Sequence, residues 1–133
     1  MAFQCVIVTP EQQVLDERVE QVILPAFDGL IGILTDRAPM LAKLGMGPLR
    51  IDAAAGGQTR TFFIDGGIAQ MKDNRLTVLT NEATPIGDLD AEAARAEFAE
   101  ATARRATDEK TAQDREHQLR RARMKQQLAG TAR

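Results

Sequence analysis

Two β-strands joined by a structured loop are predicted by V-I-L-P-A-F-D-G-L-I-G-I-L-T-D-R-A-P-M-L, which runs from Val22 to Leu41. An apolar run ends at Pro25, and Gly29 and Gly32 precede the apolar pair Ile33-Leu34. Glycine permits positive φ and a close backbone approach, so we expect a tight loop that re-enters a strand at Ile33. A proline at a strand end or edge fits the same reading.

On both sides of this stretch, the first 85 residues alternate short apolar runs with turn residues. Asp65-Gly66-Gly67 predicts a sharp turn or bulge, Asp73-Asn74 a hairpin turn, and Ala53 to Gln58 a flexible tip. Many short strands with turn signals between them indicate a β-sandwich or a flattened barrel. The predicted strands are Phe3–Val8, Gln13–Leu15, Val19–Leu24, Ile33–Leu34, Met40–Leu44, Leu49–Ile51, Thr59–Ile64, Ile68–Met71 and Leu76–Leu79.

The composition changes near Pro85, because the rest of the chain has no proline and few β-branched residues. We expect one helix from about Asp90 to Arg105 and a second that ends near Leu128. The fold class is therefore predicted as α+β: an N-terminal antiparallel β-sandwich, residues 1–85, followed by a C-terminal two-helix hairpin, residues 86–133.

The helical part predicts a weakly held hairpin. Its apolar positions are mostly alanine, and a buried CH2 group contributes only ~0.8 kcal/mol. Charge is also uneven, with six basic residues against one acidic residue from Arg115 to Arg133, and eight acidic against four basic from Asp88 to Asp114. The two arms should therefore attract each other when folded back. The expected seam residues are Ala93, Ala96, Phe98, Ala99, Ala103, Ala112, Leu119, Ala122 and Leu128.

Composition excludes several classes of function. The net charge is −2, and the chain has no Trp or Tyr, which argues against nucleic acid as a partner. A single cysteine, Cys5, permits no disulfide framework or cysteine metal cluster and is typical of a reducing, cytosolic compartment. The amino end does not read as a signal peptide, and no run approaches ~20 apolar residues. We expect any membrane association to come through a protein partner.

Three segments resemble the epsilon subunit family of F-type ATP synthases. Members of that family usually read V-x-x-P-G-x-x-G-x-x-G-[VI]-L-P-G-H-A-P-L-[LV], which aligns without gaps on Val22 to Leu41 and departs at Ala26 and at Thr35-Asp36-Arg37. Phe62 to Gln70 resembles the family's F-x-x-x-G-G-x-x-x, and Leu76 to Leu79 resembles its V-T-[VI]-L. The order and spacing of the three segments also match.

The resemblance implies a non-catalytic rotor subunit with a sandwich followed by a two-helix hairpin. The sandwich would couple the gamma subunit to the c-subunit ring at the cytoplasmic face of a bacterial membrane. The hairpin would restrain ATP hydrolysis by engaging an acidic segment of the alpha/beta catalytic subunits. The implied contact residues are Asp28, Gly29, Leu30 and Ile31 facing the c-ring, Ala38 and Pro39 beside them, and Arg115, Arg120, Arg121, Arg123 and Lys125 on the inhibitory helix.

Many family members bind ATP through [IL]-D-x-x-R-[AS] at the start of the first helix. Here Asp90 and Arg95 are five residues apart, so they would lie about 140° apart on a helix, while Glu92 and Arg95 have the right spacing but the wrong acid. We therefore predict no cofactor and keep regulatory ATP as a disfavoured alternative, for which Asp90, Glu92 and Arg95 are the weak nucleotide candidates.

Plainer interpretations stay open for each feature. Asp28, Asp36 and Asp65 suit ordinary turns, Cys5 a core strand position, His117 an exposed helix position, and the basic run a solvated helix face. Gly66-Gly67 is not followed by the helix and Gly-Lys of a phosphate loop.

Two other functions compete with a rotor subunit. A free-standing interaction module would run as a monomer, and a small β-fold enzyme would need convergent titratable groups, which the sequence does not assemble.

Overall fold

The computed structural model describes residues 2–54 and 57–131, and the chain divides into two compact units, Met1–Pro85 and Ile86–Arg133. Part of the predicted tip, Ala55-Gly56, lies outside the described residues. The described part of the first unit forms β1 (Phe3–Val8), β2 (Gln13–Ala26), β3 (Gly29–Leu34), β4 (Met40–Ala53), β5 (Thr59–Lys72), β6 (Arg75–Leu79) and β7 (Ala83–Pro85).

Five strands of this unit close into a ring. The order β1-β6-β5-β4-β2 returns to its start because β1 also pairs with β2. A ring with an odd number of strands cannot alternate direction throughout, so one neighbouring pair must be parallel. That pair is β1 and β6, and the other pairings are antiparallel as predicted. β3 extends the sheet beyond β2, and β7 pairs with β5.

Three long strands replace pairs of shorter predicted ones. Gln13–Leu15 and Val19–Leu24 are both part of β2, and the segments predicted around Met40–Ile51 and Thr59–Met71 form β4 and β5. The prediction of breaks was wrong because β2 continues through two register shifts against β4, between Val19 and Gln21 and between Ile23 and Ala26, and β4 and β5 pair in one unshifted register. The short strand β7 was not predicted at all.

Gly66 and Gly67 lie within β5, and their backbone conformation shows why glycine is required there. Gly66 and Gly67 have φ of 72° and 119°, and a Cβ on Gly67 would lie 1.9 Å from the carbonyl oxygen of Leu79. The preceding residue, Asp65, is buried within β5, so its prediction as a loop carboxylate was wrong. The register between β4 and β5 is the same at Leu44–Gly67 and at Met46–Asp65, so the strand continues where the sequence predicts a turn or bulge.

Alternating side chains of these strands fill one core. Its fully buried members are large aliphatic and aromatic side chains, and Cys5 lies among them as expected. The largest are Phe3, Ile7, Leu24, Ile33, Leu49, Ile51, Ile64, Met71 and Leu76.

The second unit consists of a 3-10 turn (Ile86–Asp88), α1 (Ala91–Ala103) and α2 (Glu109–Thr131). Asp90 caps α1 by accepting a hydrogen bond from the Glu92 backbone N–H at 2.9 Å. Asp108 caps α2 by accepting from the Thr111 backbone N–H at 2.8 Å. No helix among residues 2–54 and 57–131 has the length and apolar character needed to cross a membrane.

Candidate functional site

The tip of the β2–β3 hairpin carries two strongly exposed apolar side chains. Phe27 and Leu30 are each 72% exposed, and Asp28 and Gly29 between them are exposed as well. The tip is fixed to β4, because the Phe27 N–H donates to the Lys43 carbonyl oxygen at 2.9 Å and the Lys43 ammonium lies 4.8 Å from the Phe27 ring centre. The loop therefore presents an apolar tip on a braced support.

Phe27 was not among the residues predicted from sequence. Its neighbour Ile31, expected to be exposed, is instead half-buried and packs against the core. The reason is strand alternation, since β3 begins at Gly29 and sends Leu30 and Ile31 to opposite faces. Gly29 has the expected positive φ of 147°, whereas Gly32 lies within β3 outside the left-handed range.

The segment 35–39 contains Thr35-Asp36-Arg37, one of the two places where the chain departs from the usual family pattern. Asp36, at a position where the family usually has glycine, has φ of 60°. Its backbone N–H donates to Asn74 Oδ1 at 2.7 Å, and Asn74 Nδ2 donates to Asp36 Oδ1 at 3.0 Å. Arg37 donates to the Gly32 carbonyl oxygen at 3.3 Å. These contacts hold the segment that carries the exposed residues Ala38 and Pro39.

A second apolar surface was missed from the sequence. Leu41, Ile68 and Leu79 are 71%, 47% and 51% exposed on β4, β5 and β6. Ile68 is paired with both Lys43 and Leu79, so these outward positions lie side by side across the sheet. We call Leu41, Ile68 and Leu79 the apolar strip. Strand alternation contained the signal, but only the register puts the three residues together.

The three nucleotide candidates, Asp90, Glu92 and Arg95, form contacts among themselves at the start of α1. Asp90 caps α1, and Arg95 Nη1 donates to Glu92 Oε1 at 3.0 Å across an exposed ion pair. Asp90 and Arg95 have different partners and do not contact each other: Asp90 accepts from the Glu92 backbone, and Arg95 pairs with the Glu92 side chain. Asp90 therefore caps the start of α1, and Glu92 and Arg95 form a surface ion pair. The three side chains do not form an evident phosphate-binding site.

The basic candidates on α2 are used within the hairpin. Arg121 contacts Glu97, Arg115 contacts backbone carbonyls at the end of α1, and the Arg123 guanidinium lies 5.6 Å from the Phe98 ring centre. Lys125 is half-buried, whereas Arg120 is exposed and has no ion pair within the described part of the chain. These side chains therefore differ in how available they are to a partner.

The predicted alanine seam lies on the wrong face of α1. Ala93, Ala96, Ala99 and Ala103 are exposed, whereas Ala94 and Ala101 are buried. The inward stripe has the helical spacing 94-97-98-101 and includes Glu97 and Phe98. Since alanine occupies both faces of α1, its spacing alone could not identify the inward one. The predicted inward position of Ala122 on α2 is confirmed, because that residue is fully buried.

Titratable groups give no sign of chemistry in the described residues. Burial raises the pKa of the Cys5 thiol to about 12, so the thiol stays protonated near neutral pH. His117 is exposed on α2, as expected. Within residues 2–54 and 57–131, no three His, Cys, Asp or Glu side chains lie together as metal ligands would.

Comparison with known proteins identifies the family. A family model described as "ATP synthase, Delta/Epsilon chain, beta-sandwich domain" matches residues 2–86. The ATP synthase epsilon chain of Rhodopirellula baltica is 41% identical over 123 residues, which are 92% of this chain and 94% of that one. The epsilon chain of Nitratidesulfovibrio vulgaris is 43% identical over 89 residues, covering 67% and 65% of the two chains.

The fold agrees with a solved structure. A chain in the Euglena gracilis mitochondrial ATP synthase, described as OSCP/F1/c-ring, is similar with a TM-score of 0.79 and 22% identity, covering 96% of this chain and 79% of that chain. At this identity the likeness concerns the fold alone. On the family model and the sequence relatives together, the chain belongs to the family of ATP synthase epsilon chains, which are non-catalytic subunits of that complex.

Proposed function

We propose that this chain is a central-stalk rotor subunit that couples the gamma subunit to the c-ring of an F-type ATP synthase. It works at the cytoplasmic face of a bacterial membrane and is held there only through the complex. Its C-terminal hairpin restrains ATP hydrolysis by contacting the alpha/beta catalytic subunits. The sandwich is the anchor, and the hairpin is the brake.

The observation that carries the coupling role is the braced apolar tip of the β2–β3 hairpin. Phe27 and Leu30 are large apolar side chains left 72% exposed, and such surfaces are typical of contact sites. The Lys43 contacts and the Asp36–Asn74 bonds hold this region in place before binding, which lowers the entropy lost on docking. We assign Asp28, Gly29 and Leu30 to the c-ring contact, with Ala38 and Pro39 beside them; Ile31 supports the loop from the core side.

The apolar strip is the candidate contact for the gamma subunit. Leu41, Ile68 and Leu79 follow three paired strands, so they form one surface on a rigid sheet. Sites built on strands hold their geometry better than sites on free loops. A rotor part that transmits torque needs two such fixed surfaces.

Two observations support the brake. α2 carries Arg115, Arg120, Arg121, Arg123 and Lys125, which suit an acidic partner surface, and Arg120 is already exposed. In addition, α1 has only 13 residues, and a helix of that length is marginal in water without its partner. The hairpin therefore has a second accessible state in which α2 leaves α1. Regulatory ATP is not part of the proposal, because Asp90, Glu92 and Arg95 are engaged with their own helix.

Hydrolysis by the reconstituted catalytic sector tests the proposal. We expect a chain that stops after Pro85 to bind the gamma subunit as the full chain does and to permit faster ATP hydrolysis. Arg120→Glu should also raise the rate, whereas Arg105→Glu, at an exposed position between the helices, should leave it unchanged.

Each outcome separates the two roles. Equal rates with the full and shortened chains would remove the brake and leave the coupling role. If neither chain binds the catalytic sector, the rotor assignment fails and a free-standing interaction module becomes the better reading.

A further inference from the structure

The seam between α1 and α2 contains little apolar surface. Among the side chains of residues 86–129, only Ala94, Ala101 and Ala122 are buried. A methyl group removes little area from water, and each buried CH2 contributes only ~0.8 kcal/mol. Apolar packing of three alanines is therefore a weak reason for two helices to stay together.

Polar contacts cross the seam at its centre. Arg121 donates through Nε at 2.9 Å and through Nη2 at 2.6 Å, both to Glu97 Oε1. The two side chains are only 32% and 20% exposed, so water screens the pair less than it would a surface pair. Charge-assisted bonds from a guanidinium to a carboxylate are among the stronger hydrogen bonds in proteins.

A second group of contacts lies at the connected end of the hairpin. Arg115 donates to the carbonyl oxygens of Thr102 at 3.2 Å and Arg104 at 3.1 Å. Carbonyls at a helix C-terminus lack intrahelical donors and carry partial negative charge, so a guanidinium satisfies both needs. Arg104 in turn donates to Gln118 Oε1 at 3.0 Å, which ties the end of α1 to α2.

We propose that Glu97 competes with an acidic partner surface for Arg121 of the inhibitory helix. In the closed hairpin Glu97 binds Arg121, so Arg121 is not available to the partner. We call the Glu97–Arg121 pair the clasp. Arg115 is also hydrogen-bonded to α1, and a guanidinium bonded to α1 is not available to a second acidic group. Glu97 is thus a positioning residue that sets the balance between the closed and open hairpin.

Only part of this inference rests on the proposed function. That the clasp holds α2 on α1 follows from the contacts within the hairpin. The second part, that release of the clasp strengthens the inhibition of ATP hydrolysis, rests on the proposed function. The experiment therefore reads the two parts separately.

The first readout is amide hydrogen exchange of α1 in the isolated full-length chain. Because α1 is too short to persist alone, exchange of its amides reports opening of the hairpin. Glu97→Gln keeps the shape and removes the charge, and we expect about fivefold faster exchange, the size of effect given by a weakened charged hydrogen bond. Glu100→Gln is the matched control, since Glu100 is exposed on the same helix.

The second readout is ATP hydrolysis by the catalytic sector reconstituted with each variant. Glu97→Gln should lower the rate below that with the unchanged chain, because Arg121 is released for the partner, and Glu100→Gln should not. Exchange in Glu97→Gln equal to that of the unchanged chain overturns the clasp, whatever the hydrolysis rate. Faster exchange without any change in hydrolysis upholds the clasp and overturns the claim that its release strengthens the brake. Circular dichroism of both variants establishes that the helices still form.

Discussion

Single residues show how backbone conformation limits this sequence. Gly67 combines a left-handed φ with a position where a Cβ would meet the Leu79 carbonyl oxygen, whereas Gly29 has positive φ and open space around it. Gly32 has neither constraint, since the nearest atom to its Cβ position is Gln21 Nε2 at 3.9 Å. Asp36 occupies a left-handed position without glycine, and its bonds to Asn74 offset that strain.

An alanine series at these three glycines should separate the effects. We expect Gly67→Ala to lower the free energy of unfolding of the sandwich by about 3 kcal/mol or more, because strain and a backbone clash add. Gly29→Ala should cost about 1 kcal/mol from conformation alone, and Gly32→Ala should stay within about 0.5 kcal/mol. Denaturant unfolding of the full chain measures all three. The explanation fails if Gly32→Ala is as damaging as Gly67→Ala.

At the scale of elements, side-chain caps fix where each helix begins. Asp108 accepts a hydrogen bond from the Thr111 N–H, and Thr111 Oγ1 accepts from the Thr107 and Asp108 backbone N–H groups at 2.9 and 3.0 Å. This reciprocal arrangement satisfies several N–H groups that a helix start leaves unpaired. It also fixes where the connection ends and α2 begins.

Acid should loosen the start of α2 through Asp108. The backbone hydrogen bond from Thr111 holds the pKa of the Asp108 carboxyl below its ordinary value of 3.8. A carboxyl whose pKa is lowered by folding stabilises the structure above its ordinary pKa, and that stabilisation is lost as the pH falls through the lower, folded value.

NMR titration of the full chain checks this expectation. The Thr111 amide resonance should shift with a midpoint below pH 3.8. Asp108→Asn keeps an acceptor oxygen but cannot ionise, so its Thr111 amide should show no such midpoint. A midpoint at or above the ordinary value would mean that the cap does not favour the ionised carboxyl.

At the scale of the whole molecule, the proposed function uses three surfaces. Two are the exposed apolar surfaces of the sandwich, and the third is the basic helix of the hairpin. The sandwich surfaces stand on a closed ring of strands, which cannot change shape without breaking its pairing. The hairpin is held mostly by polar contacts, which can be exchanged for others. The proposed anchor requires a rigid unit, which the sandwich is. The proposed brake requires a unit whose contacts can be exchanged, which the hairpin is.

Charge substitutions should separate the two sandwich surfaces. Leu30→Asp should weaken assembly with the membrane sector about tenfold or more, the loss expected when a carboxylate replaces a buried leucine, while binding to the gamma subunit persists. Ile68→Asp should weaken binding to the gamma subunit instead. Gln58→Asp, at an exposed position away from both surfaces, is the control. Co-purification with each subcomplex gives the readout, and identical behaviour of the two variants would contradict separate roles.

The sequence by itself determined the fold class, the change from strands to helices near Pro85, and the family. It could do so because turn residues, strand alternation and helix caps act over a few neighbouring residues. The tip of the β2–β3 hairpin was predicted for the same reason, although Ile31 was placed on the wrong face. Motif spacing also separated Asp90 from Arg95 before any contact was known.

Only the tertiary structure decided that β5 continues through Gly66-Gly67, which face of α1 turns inward, and what the arginines touch. Register, ring closure and helix rotation depend on contacts between residues far apart in the chain, and local patterns do not record them. Ala93 and Ala94 illustrate this, since both are alanine and adjacent in sequence, yet Ala93 is exposed and Ala94 is buried. The clasp between Glu97 and Arg121, 24 residues apart, exists only because packing of the two helices brings a carboxylate and a guanidinium together in a seam whose fully buried side chains are alanines.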